Sequence, residues 1–160
     1  MSQVQKSQLD ALAFPTGRPP KISHFSRAQA RSRFISISEG KVIAELTFLF
    51  WKRLYGPEYN QALWITTLKR TFPNKKIDRG EVATHLEQIY QSRNRLAHHE
   101  PVLHKRFDDT IDSIEFVVRN LHATTTSANT PLTNLLDTDI AEVKRRATNL
   151  HGRLDAYRSK

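Results

Sequence analysis

The stretch Val82-Ala83-Thr84-His85-Leu86-Glu87-Gln88-Ile89-Tyr90-Gln91-Ser92-Arg93-Asn94-Arg95-Leu96-Ala97-His98-His99-Glu100-Pro101 decides how this chain is read. Val82, Leu86, Ile89, Leu96 and Ala97 form an apolar row, with Arg93 in its middle. Steps of four and three put that row on one face of an α-helix. Arg93 is therefore expected on the buried face. A guanidinium stays charged and is costly to bury alone, so it needs a carboxylate, a phosphate or a wet cleft. Pro101 is expected to end the helix, because its ring clashes with the Ala97 carbonyl and pushes Glu100 out of the helical region. On a straight helix His98 lies about 140° around from Arg93, five steps of about 100°. The two side chains reach one phosphate only if the last turn distorts or a second copy of the helix supplies the other half.

Working back from that stretch, Asp78 with Glu81 three residues on reads as the cap that opens the helix. Pro73-Asn74 is a turn. A helix over about 57–71 carries Trp64, Ile65 and Leu68, with Phe72 just beyond and Pro57 in its first turn. The segment from about 41 to 55 has Val42, Ile43, Leu46, Leu49, Phe50, Trp51 and Leu54 around most of its circumference. Such a helix is expected at the centre of a bundle, with Phe50 and Trp51 as packing residues. Ser23 or Ser26 caps a helix to about Ser38. Residues 1–24 read as a loosely ordered basic arm containing Phe14-Pro15-Thr16-Gly17-Arg18-Pro19-Pro20.

Working forward, Phe107 or Asp108 begins a helix with Phe107, Ile111, Ile114, Val118 and Leu121 on one face. Residues 123–136 read as a polar linker. A last helix, 137–157, carries Ile140, Val143, Ala147, Leu150, Leu154 and Tyr157 in a heptad-like rhythm. That rhythm suits packing along another helix, in this chain or in a second one. No segment alternates with period two. The expected fold is all-α, an antiparallel helical bundle: a core over 25–122 and a C-terminal helix within 137–160 on that core or on a partner.

At 160 residues the chain fits one domain. It has no cysteine, which excludes disulfides and thiolate metal sites and suits a reducing cytosol. The start Met1-Ser2-Gln3-Val4-Gln5-Lys6 has no apolar core of a secretion signal, and no apolar run reaches transmembrane length. A cytoplasmic protein off the membrane is expected. The net charge of +9 would attract a polyanion such as RNA. More than half of it precedes residue 35, where Lys6, Arg18, Lys21, Arg27, Arg31 and Arg33 face only Asp10. That segment is either an RNA-contacting arm or a solvated basic surface.

Arg93-Asn94-x-x-x-His98 resembles the Arg-polar-x3-His motif of HEPN-domain proteins. The fuller run Arg93-Asn94-Arg95-Leu96-Ala97-His98-His99-Glu100-Pro101 is similar to that of the Abi-like (abortive infection D/F) branch. Gly40-Lys41-Val42-Ile43-Ala44-Glu45-Leu46-Thr47-Phe48-Leu49-Phe50-Trp51 resembles that family's glycine-valine-x-A-E-L-x-F-x-F-W block, and Leu63-Trp64 and Phe72-Pro73 follow at similar positions. The likeness spans roughly 40 to 120. It implies a metal-independent endoribonuclease without cofactor, built from two protomers that face their motifs across a dimer interface. His98 would then transfer protons, Arg93 would bind the phosphate and Asn94 would orient one of them. Arg95 and His99 would be auxiliary RNA contacts. The likeness further implies a phage-defence toxin held in check by an antitoxin protein or RNA.

Arg146 and His151 repeat the Arg-x4-His spacing and are given no role. Three other readings stand beside the enzyme. Arg93 could pair with Asp112 or Glu115 while the histidines close a helix end. The chain could be a non-catalytic module of the same type that binds RNA or a protein. A metal held by His98, His99, Glu100 and His104 is disfavoured, because adjacent helical residues point apart.

Overall fold

The computed structural model describes residue 43, residues 46–126 and residues 129–158. The expected basic arm and the expected helix ending near Ser38 lie outside the described residues. All regular structure among the described residues is helical, as expected. Four α-helices occur: α1 (Phe48–Arg53), α2 (Arg79–Ala97), α3 (Lys105–Asn120) and α4 (Pro131–Arg158).

Neighbouring helices run antiparallel. Phe48 at the start of α1 stacks on Tyr90 near the end of α2, with ring centres 6.3 Å apart. Beyond the other end of α1, the Tyr55 carbonyl accepts from Arg79 at the start of α2 (2.7 Å). Between α2 and α3, Ser92 meets Thr110 (2.6 Å) and His85 meets Ser113 (3.1 Å). Between α3 and α4, Thr130 donates to the Val118 carbonyl (2.6 Å) and Lys144 to Glu115 (2.6 Å). The main core is Trp64, Phe72, Ile77 and Val82, with Leu86, Phe116 and Val117 against it. Phe50 and Leu54 form a second cluster that joins the first through Tyr55 and Leu68.

Two expected helices are broken. The 41–55 segment is not continuous: Leu46 bends, and Thr47 is extended (φ −73°, ψ 158°). Thr47 Oγ1 accepts from the Phe50 amide and restarts the chain as the six-residue α1. Phe50 is buried, whereas Ile43 and Trp51 are exposed, so this segment is not apolar-covered all round. Residues 57–71 form three short turns: a 3-10 turn at Pro57–Tyr59, a π turn at Asn60–Trp64 and a 3-10 turn at Leu68–Thr71. The π turn closes from the Ile65 amide to the Asn60 carbonyl (3.0 Å). Beyond it, Thr66 turns its hydroxyl onto the Ala62 carbonyl (2.8 Å), and Thr67 leaves the helical region. Consecutive β-branched residues resist a continuous helix, and burial of Trp64 and Phe72 sets the path instead.

The last helix begins at Pro131, before the expected Asp137. Thr130 Oγ1 accepts from the Thr133 amide (3.0 Å), and Pro131 follows it at the first helical position. The heptad-like row on α4 splits in two. Ile140, Ala147 and Leu154 are half-buried, and Val143, Leu150 and Tyr157 are exposed.

Candidate functional site

The site region is the far end of α2. Its start is closed by Asp78, whose Oδ1 accepts from the Glu81 amide (2.8 Å), as expected. Val82 is fully buried, Leu86 and Ile89 are half-buried, and Ser92 is 2% exposed. Beyond Ser92 the expectation fails. Arg93 and Ala97 are exposed, and Leu96 is 62% exposed. The Phe48–Tyr90 stack and the Ser92–Thr110 bond tie this part of α2 to α1 and α3. The helical row continues past them into solvent. A periodic row is buried only where a neighbour lies opposite it.

Arg93 therefore needs no buried acid. Its Nη1 donates to Asn94 Oδ1 (3.3 Å), and no carboxylate pairs with it among the described residues. Glu115 belongs to Lys144 (2.6 Å) and Arg119 (3.7 Å). Asp112 lies on the exposed side of α3.

The last turn of α2 closes on its own main chain. The Glu100 amide donates to the Arg95 carbonyl (2.8 Å), and the His99 amide donates to the Leu96 carbonyl (3.1 Å). Those two bonds, six-to-one and five-to-two around a left-handed residue, make a Schellman close. The left-handed residue is His99, with φ 57°. Glycine usually holds that position, and a residue with a Cβ gives up about 1 kcal/mol there. The contact that normally accompanies such a close is apolar. Here it is an ion pair, Arg95 to Glu100 (2.8 Å). Both side chains are more than a third exposed, so solvent screens the pair to under about 1 kcal/mol.

The close delivers His98, the C-cap residue (φ −98°, ψ 13°), and His99 to the surface. Among the described residues no hydrogen bond joins Arg93 to His98. One helix end thus presents a guanidinium that no carboxylate pairs with among the described residues, an amide bonded to it and two exposed imidazoles. Arg95 is committed to Glu100. His104 and Glu100 have separate partners, and among the described residues no three His, Asp or Glu gather as metal ligands.

Three further histidines, His85, His104 and His151, carry geometry that their sequence positions do not announce. His104 caps α3 with φ 50° and ψ −134°, and its amide donates to His151 Nε2 on α4 (3.0 Å). The two rings stack with centres 4.5 Å apart, and Phe107 meets His151 edge-on at 5.7 Å. Beside them a cleft of about 320 Å³ between α3 and α4 is lined by Phe107, Asp108, Asp112, Lys144, Thr148 and His151. His85 stacks on Phe116 (3.9 Å), and its Nδ1 lies 3.1 Å from Ser113 Oγ. Ser113 donates to the Asp109 carbonyl (2.8 Å), so its oxygen accepts from His85 Nδ1–H. Burial lowers the His85 pKa, against the opposing pull of Glu81 and Asp112. The available signal was a hydroxyl residue on each helix, Ser92 on α2 and Ser113 on α3, both buried at the α2–α3 contact.

No helix among the described residues is long and apolar enough to cross a membrane. The chain matches no protein-family model, no curated protein and no solved structure.

Proposed function

We propose that the chain is a metal-independent endoribonuclease of the Abi-like HEPN type, acting as a homodimer whose two α2 ends form one site. The observation that carries this reading is the pairing of a guanidinium lacking a carboxylate with exposed imidazoles on one helix end. In the reaction the RNA 2′-hydroxyl gives up its proton and attacks its own phosphorus. The bond to the 5′-oxygen breaks, that oxygen takes a proton, and a 2′,3′-cyclic phosphate remains. His98 transfers the protons, as imidazole does near neutral pH. Arg93 binds the phosphate through its planar fork, and Asn94 steadies that fork. His99 is an auxiliary RNA contact. Arg95 serves the helix end through Glu100 and reaches RNA only at the rim. Exposed Leu96 lies between Arg93 and His98, and a second copy packed there would cover it. In cells this activity is that of a phage-defence toxin restrained by an antitoxin protein or RNA.

The test is RNA cleavage by the purified chain in excess EDTA. His98→Ala is expected to lower the rate about a thousandfold and Arg93→Ala about a hundredfold, with the fold kept. If both variants cleave at the wild-type rate, the assignment is wrong. A fully active monomer removes the shared site. A second reading, a module that binds RNA without cutting it, is favoured by the lack of any bond between Arg93 and His98 within one chain. Retained RNA binding without cleavage products would establish it.

A further inference from the structure

We propose that His151 on α4 is a positioning residue for the loop that carries His98 and His99, acting through the hydrogen bond it accepts from the His104 amide. The inference rests on the ribonuclease reading only for its effect on catalysis.

The loop runs from the end of α2 to the start of α3, and it is short. Both of its ends hold a histidine in a left-handed backbone, His99 at φ 57° and His104 at φ 50°. His99 is locked by the main-chain bonds of the helix close. The His104 amide has no main-chain partner among the described residues. The φ and ψ of His104 lie where residues with a Cβ are rarely found, and its side chain makes no capping bond to α3. A conformation of that kind persists only when its surroundings over-determine it. On its carbonyl side His104 is held by the Asp108 amide (3.0 Å), and on its amide side by one ring. His151 accepts the His104 amide through Nε2, lies against the His104 ring and is backed by Phe107. Without that acceptor, the His104 amide at the start of α3 has no other bond among the described residues, and the backbone is free to relax. Relaxation there swings the near end of the loop and changes how His98 and His99 are presented.

Nε2 accepts only while it carries no proton. The bond therefore fixes His151 as the neutral tautomer with its hydrogen on Nδ1.

The experiment compares the full-length wild type with His151→Gln and His151→Leu. Glutamine keeps an oxygen acceptor near the Nε2 position and does not titrate. Leucine keeps bulk and removes the acceptor. Amide exchange protection at His104 is expected to fall about tenfold in His151→Leu at neutral pH and to stay near wild type in His151→Gln. In cleavage, His151→Leu lowers kcat about tenfold with little change in KM, and His151→Gln restores it. Unchanged His104 protection in His151→Leu overturns the proposal. So does a His151→Gln that behaves like leucine, which would reduce the residue to packing. If the wild type cuts no RNA, the ribonuclease reading falls, and the exchange data still decide the His151 contact.

Discussion

The two ends of α2 are closed by different means. At its start a side chain does the work: Asp78 takes the Glu81 amide, and Val82 one turn on is fully buried. At its end the main chain closes on itself around a left-handed His99, while Leu96 and Ala97 stand in solvent. The first end is anchored in the core. The second holds an unusual backbone and leaves two imidazoles and a guanidinium exposed. One helix can therefore be buried at one end and open to solvent at the other. The helical period alone does not distinguish the two ends.

Substitutions can break or sharpen that contrast. The largest effect on stability is expected at the buried end. Val82→Ala should cost about 2 kcal/mol in denaturant unfolding, whereas Leu96→Ala should stay within about 0.5 kcal/mol. Equal losses at both positions would mean that Leu96 is covered in solution. Asp78→Ala comes next, with about 1 kcal/mol lost with the cap, read from the same unfolding curves. At the far end the backbone governs the outcome. His99→Val should lose about 1 kcal/mol in the left-handed region, while His99→Gly should gain about 0.5 kcal/mol.

The smallest effect expected is one of pH, and it belongs to the buried half of α2. His85 has its pKa lowered by burial. In the unfolded chain it protonates at its ordinary value, while in the folded chain it still resists the proton. Its contribution to stability is therefore complete above about pH 6.5 and is lost as the pH falls toward the lowered value. Unfolding midpoints measured from pH 7.5 to 5 should decline, and His85→Asn should flatten that decline by keeping a donor for Ser113 without titrating. Glu87 acts in the same sense at lower pH. Its hydrogen bonds from Lys52 and then Gln91 lower its pKa, so its share is present above the ordinary carboxylate range and is lost below it.

Much of the frame was legible in the sequence. The Asp78 cap, the α2 period and the apolar face of α3 are local signals, and local signals suffice for long helices. Three features were not legible, each for a physical reason. The 57–71 segment has a helical pattern, but Thr66 and Thr67 with the burial of Trp64 outweigh it. Arg93 belongs to the apolar row by angle, yet it and Leu96 and Ala97 after it stand exposed. The α4 start was written as Thr130-Pro131, a cap followed by a proline, inside a stretch whose polar composition suggested a linker. The candidate residues Arg93, Asn94 and His98 were named from a local motif, but their exposure was not legible. The tie between His104 and His151 was not, because it joins positions far apart in sequence through a backbone amide that no side-chain pattern announces.

The main-chain close of α2 has one more consequence. The bonds that finish the helix come from backbone amides at residues 98, 99 and 100, so the imidazole of His98 holds nothing together. A saturation scan scored on folded yield should be nearly flat at that position, apart from proline. Any position whose ring is dispensable for architecture yet intolerant in a living assay reveals its purpose by that mismatch, and His98 is the residue where the two scores should diverge most.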